Sequence, residues 1–150
     1  MAEQTPWYSS FLANFSPRVR EKLLSTAQQF EYKAGQDLFH EGDPSLYLFV
    51  VKTGHVAVEL HVPSKGRRTI LTASAGDVFG WSALVEPRIE TASARAVEDA
   101  TVYAMKGGEL MDICREDPQL GFELYRALAE VIMARLIASR LQLLDVFAVA

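Results

Sequence analysis

Glycines at 35, 42, 54, 66 and 76 cut residues 30–106 into short segments of alternating or β-rich residues. Lys52-Thr53-Gly54-His55 joins the apolar run 46–51 to residues 56–60, and Pro63-Ser64-Lys65-Gly66 joins that segment to residues 69–72. Glycine supplies the positive φ that tight turns demand. Short strands at regular spacing with turn signals between them build a sandwich, a barrel or a roll. The expected architecture is therefore mostly β with flanking helices, an antiparallel β-roll of the jelly-roll type.

The flanks have a different texture. Residues 7–28 read as helical: Trp7, Tyr8, Phe11 and Leu12 recur at helical spacing. Ser16-Pro17 then sets an N-cap and a first-turn proline ahead of Val19, Leu23 and Leu24. After the roll, Gly107-Gly108 precedes a short helical segment, and Asp117-Pro118 opens a long helix reaching about Phe147. Leu120, Leu124, Leu128, Ile132 and Leu136 form one stripe along it; Ala129, Met133, Ile137, Leu141 and Leu144 form another. Two stripes cover more surface than one contact buries. The reading is a helix packed on the roll and on a second chain, with Leu124, Leu128, Ile132 and Leu136 at a homodimer contact. The alternative is one wide face, all of it intramolecular. At 150 residues the chain is the size of one domain, 1–150, with C-terminal helices over residues 107–147.

Composition removes several function classes. A formal net charge of −4 and the lack of any Lys/Arg-rich run argue against sequence-independent nucleic-acid binding. Lys65, Arg67 and Arg68 read as a solvated hairpin tip. One cysteine, Cys114, rules out an intrachain disulfide and a cysteine zinc cage, and reads as a buried thiol. The first ten residues hold neither basic residues nor an apolar run, so they do not read as a signal peptide. Residues 46–51 are too short to span a bilayer. A cytoplasmic protein without membrane contact is expected. His40, His55 and His61 raise a cupin-like metal enzyme as a remote alternative, but they lack a local His-x-His pair. No nucleophile elbow, phosphate-binding Walker loop or zinc-protease helix occurs, and Ser82 has no histidine near it in sequence. The domain reads as non-enzymatic.

The stretch GDVFGWSALVEPRIETASARA, residues 76–96, carries the functional signal. It reads as a turn, a helix start at Trp81-Ser82-Ala83-Leu84, a loop and a strand. A glycine opening a helix leaves backbone N–H groups and a positive dipole end, which suit an anion. Together with YKAGQDLF (residues 32–39), EGD (41–43), FVVKTGHV (49–56) and ARAVED (94–99), the ordered glycines resemble the cyclic nucleotide-binding domain family over about residues 15–147. The resemblance implies a β-roll regulatory module, a cyclic nucleotide as ligand, no other cofactor, and a long helix that responds to occupancy. Regulators of that family that bind DNA continue into a helix-turn-helix, and none is expected within this sequence.

The implied ligand contacts are Phe79, Gly80, Trp81, Ser82, Ala83, Arg88, Glu90, Thr91 and Ala92, with the N–H groups of residues 80–84 doing most of the anion binding. Two of these side chains depart from the family pattern. Trp81 stands where a ribose-binding glutamate is usual, and indole nitrogen can only donate. Glu90 stands where a phosphate-binding arginine is usual. A unit-charge pair at about 4 Å and an effective dielectric of about 20 is worth about 4 kcal/mol, and about 1.4 kcal/mol is already tenfold in affinity. The pattern therefore opposes ordinary cyclic AMP binding. Pro87-Arg88 resembles the family's Pro-Arg pair displaced by two residues, so Arg88 is either a substitute anion partner, with Glu90 turned outward, or a solvated loop cation. Trp81 is either a lid or core aromatic, or a stacking surface for a ligand ring. A scaffold that acts through protein contacts alone is the rival reading.

Overall fold

The structure is a computed structural model and describes residues 11–148. A 3-10 turn at Phe11–Asn14 leads into α1 (Pro17–Thr26). Eight strands follow: β1 (Gln28–Tyr32), β2 (Asp37–Phe39), β3 (Tyr47–Thr53), β4 (Val56–Val62), β5 (Gly66–Ala73), β6 (Val78–Phe79), β7 (Ser93–Ala96) and β8 (Ala100–Lys106). A 3-10 helix, Trp81–Leu84, sits between β6 and β7, and α2 (Gly107–Glu116) and α3 (Pro118–Ala148) close the chain. The strands form two antiparallel four-stranded sheets, ordered β1-β8-β3-β6 and β2-β7-β4-β5. This is the expected β-roll with flanking helices.

Why the roll has two cores is written in β3. Its residues alternate across the first sheet, so Leu48 and Val50 face the helices while Phe49 and Val51 face the second sheet. A strand buried on both faces reads as a continuous apolar run, which is what residues 48–51 are. The helix-side core joins Val19 and Leu23 of α1 to Leu110 of α2 and Leu120 and Leu124 of α3. The inter-sheet core joins Phe49 and Phe79 to small residues on the facing strand, Ala94 and Ala96. On the outer face of the second sheet Glu59, 5% exposed, accepts from Arg95 Nε and Nη2 at 3.2 and 3.1 Å.

Several expectations need correction. The first helical segment ends at Thr26 rather than 28, because Gln28 already pairs with Ala104 of β8; Trp7 and Tyr8 lie outside the described residues. Ser16 makes no side-chain cap on α1; its Oγ donates to Glu123 Oε2 at 3.0 Å and ties the N-terminal helix to α3. Asp117 does cap α3, accepting from the Leu120 N–H at 3.2 Å.

The stripe assigned to a dimer divides in two. Leu124 and Leu128 are 0% and 2% exposed, spent on the helix-side core, so they cannot face a second chain. Val131 is the last buried residue of α3. Beyond it the helix runs on for about 25 Å with Ile132, Leu136, Leu141 and Leu144 exposed. No helix among the described residues is long and apolar enough to cross a membrane.

Candidate functional site

β6 pairs with β3 through Phe79↔Phe49 and delivers the chain to Gly80. There φ is +76°, a conformation that favours glycine, and the chain turns into the single 3-10 turn Trp81–Leu84. On the other side, loops from distant parts of the sequence zip together. The Gly42 and Ser45 N–H groups donate to the Glu90 and Arg88 carbonyls, both at 2.8 Å, and Glu90 N–H donates to Asp43 O at 2.8 Å. Between these two walls lies a cavity of about 90 Å³ inside the roll, floored by Phe39, Val58 and Leu71.

The cavity gathers Phe79, Gly80, Trp81, Ser82, Glu90, Thr91 and Ala92, most of the side chains singled out from sequence. Ala83 is not among them; it is fully buried, packed so closely on Gly107 that a Cβ there would sit 2.6 Å from Ala83 O. Trp81 packs against the helix-side core and also lines the cavity. Of the N–H groups expected to bind an anion, that of Ala83 is already taken by Gly80 O at 3.2 Å.

The two charged residues are placed contrary to expectation. Arg88 adopts φ +60° and turns away from the cavity; its Nε donates to Ala83 O at 3.0 Å, a cation at the C-terminal end of the 3-10 helix. Glu90 is neither solvated nor turned outward. It is 5% exposed, with Oε1 accepting from Ser45 Oγ at 2.5 Å. Burial pushes its carboxyl up from the ordinary range, the Ser45 hydroxyl opposes that shift, and Asp43 adds to it. The cavity thus carries one carboxylate and, among its lining residues, no lysine or arginine.

Residues 29–117 match the family model described as the cyclic nucleotide-binding domain. The chain belongs to the cyclic nucleotide-binding domain family. It is 26% identical over 114 residues to a CRP-like cAMP-activated global transcriptional regulator of Mycobacterium tuberculosis, covering 75% of this chain and 50% of that protein. It is 27% identical over 124 residues to an uncharacterized NTE family protein of Mycobacterium bovis, covering 81% of this chain and 20% of that one. A crystal structure of a cyclic nucleotide-binding domain from Methylobacillus flagellatus superposes with a TM-score of 0.82 at 26% identity, covering 92% and 82% of the two chains. The chain thus spans half, or less, of the length of these two curated relatives.

Within this cyclic nucleotide-binding domain, three contributors escape a reading of the sequence. Ser45 holds Glu90 from 45 positions away. Phe39 stacks on Phe49, centroids 5.9 Å apart, and walls the cavity. Tyr125 of α3 donates its hydroxyl to Leu84 O at 3.0 Å, joining the last helix to the 3-10 turn beside the cavity. Ser45 and Tyr125 fall on no glycine motif and on neither apolar stripe of α3, whereas Phe39 closes the motif of residues 32–39 without a ligand role being assigned to it. Alternation does not single out Phe39, because the register of β2 shifts between Asp37 and Phe39 and both Leu38 and Phe39 pack on the inter-sheet core.

Proposed function

We propose that this domain is a non-enzymatic regulatory sensor in which a small ligand inside the roll is reported to the C-terminal helix. The observation that carries this reading is the two-sidedness of the 3-10 helix. Trp81 and Ser82 line the cavity, while Ala83 abuts Gly107 of α2 and Leu84 O holds the Tyr125 hydroxyl of α3. A ligand that displaces Trp81 pushes on a rigid one-turn lever whose other face is packed against both terminal helices. Packed interfaces of this kind shift between discrete arrangements rather than deforming smoothly. The expected output surface is the exposed half of α3, where Ile132 and Leu136 support a homodimer contact.

The family makes a nucleotide-like ligand the first candidate, but neither family side chain for ribose and phosphate is in place. Arg88 is spent on Ala83 O, and Glu90 would meet the phosphate with like charge. The smallness of the cavity, well below the roughly 300 Å³ of ordinary ligand pockets, favours a second reading: a ligand-free module acting through α3. Hydrogen exchange separates the two. Titration with cyclic mono- and dinucleotides, nucleosides and small amines should include a compound that changes amide protection in residues 107–131. If no compound alters protection there, while α3 still self-associates, the ligand-free module stands.

A further inference from the structure

Next to the small cavity lies a larger one of about 290 Å³, and Phe39 and Glu90 are walls of both. It opens between β1, β2 and β3, and its wall is unusual in chemistry. Four aromatic rings, Tyr32, Phe39, Tyr47 and Phe49, contribute to it. Phe49 lies 5.9 Å from Phe39 and 5.8 Å from Tyr47, centroid to centroid. Two carboxylates, Asp43 and Glu90, line it as well, and no lysine or arginine does. The remaining ionisable ring, His40, is held by Asp37 at 3.0 Å and lies 3.6 Å from Asp43.

Glu90 is the telling group. It is 95% buried, its Oε1 accepts from Ser45 Oγ, and it lines both cavities. A carboxylate that lines a cavity is an acceptor available to a donor or a cation entering it. Aromatic rings are side chains that can recognise ammonium groups, and four of them share this lining with two carboxylates. We propose that the interior of the roll binds a small organic cation of the alkylammonium class, seated among Phe39, Tyr47 and Phe49 with Glu90 as its counter-ion. This inverts the charge of the ligand the fold would ordinarily take, and it rests on the reading of the roll interior as a ligand site. The volume suits a small ammonium head with a short tail, being at the lower edge of ordinary ligand pockets.

The test is calorimetric titration of the whole chain with choline chloride, against sodium chloride at equal ionic strength. 3,3-Dimethylbutanol, the uncharged carbon isostere of choline, and cyclic AMP are titrated in parallel. Choline should bind saturably, with the isostere weaker by about tenfold or more, and E90Q should lose about tenfold in choline affinity. Circular dichroism checks that E90Q is folded. Should it not be, the choline-to-isostere ratio on the wild-type chain and the Phe39→Leu variant decide the matter. Equal binding of choline and its isostere, or choline binding unchanged in folded E90Q, would overturn the inference. Cyclic AMP binding without choline binding would overturn it and leave the sensor reading standing. No binding by any of them would also overturn it, and the exchange experiment on α3 then judges the sensor reading separately.

Discussion

Replacing Gly80 by alanine tests the geometry of the site without touching a charge. At Gly80 φ is +76°, and a Cβ would stand 3.0 Å from both Tyr47 O and Phe49 Cδ2. Gly35 has a similar φ of +89° but open space where its Cβ would go. Both substitutions incur the cost of a left-handed L-residue, about 1–2 kcal/mol. Only Gly80→Ala adds overpacking, about 1–3 kcal/mol, because the carbonyl belongs to a paired strand and Phe49 is stacked 5.0 Å from Phe79. For a domain of this size each kcal/mol moves Tm by about 2–4 °C. Urea denaturation should therefore rank wild type above Gly35→Ala, and Gly35→Ala above Gly80→Ala by about 1–3 kcal/mol. Because Phe49 also walls the larger cavity, Gly80→Ala should weaken whatever binds there, and Gly35→Ala should not. Equal destabilisation by the two alanines would refute the packing of β6 and the 3-10 helix against β3.

The carboxyl of Glu90 is raised in the fold, so the native state holds its proton more tightly than the unfolded chain. Its ionisation works against stability above the folded pKa, and that cost disappears as pH falls to the unfolded value. E90Q should therefore gain stability relative to wild type at neutral pH, with the gain vanishing in acid; a gain that is independent of pH would contradict the burial of this group. Asp117 behaves oppositely, its carboxyl held well below the usual range by Arg18, the Leu120 N–H and Lys22. The Tm deficit of Asp117→Asn should be full at neutral pH and fade only in acid below the ordinary carboxylate range, as followed by thermal scans. Ile132→Glu with Leu136→Glu should yield a monomer in sedimentation with an unchanged melting curve, whereas Leu124→Ala should cost about 2–5 kcal/mol through the cavity it leaves in the core.

The fold was readable because its signals are local. The glycines at 35, 42, 54, 66 and 76 all have positive φ, so each marks a turn that the chain cannot easily make with another residue. The run 48–51 and the Asp117-Pro118 helix start are equally self-contained. The site was readable only as a location. Which way Glu90 points is set by the loop of residues 42–45, brought alongside by backbone hydrogen bonds that leave no mark in residues 86–92. Arg88 is reversed by its own positive φ and by a carbonyl of the 3-10 helix, neither visible in the Pro-Arg pair. The α3 stripe shows the same limit. Periodicity says that Leu124 and Leu128 are covered, not that Leu48 and Leu110 belong to the core that covers them.

The central claim is that this domain keeps the family's cavity while reversing the charge that faces its ligand. Equilibrium titration of cyclic AMP into wild type and into the Trp81→Glu, Glu90→Arg double variant tests it most directly. The account predicts no saturable binding to wild type and measurable binding to the folded double variant, which restores an acceptor at 81 and a cation at 90. Tight, saturable binding of cyclic AMP to wild type, with Glu90 intact, would contradict it.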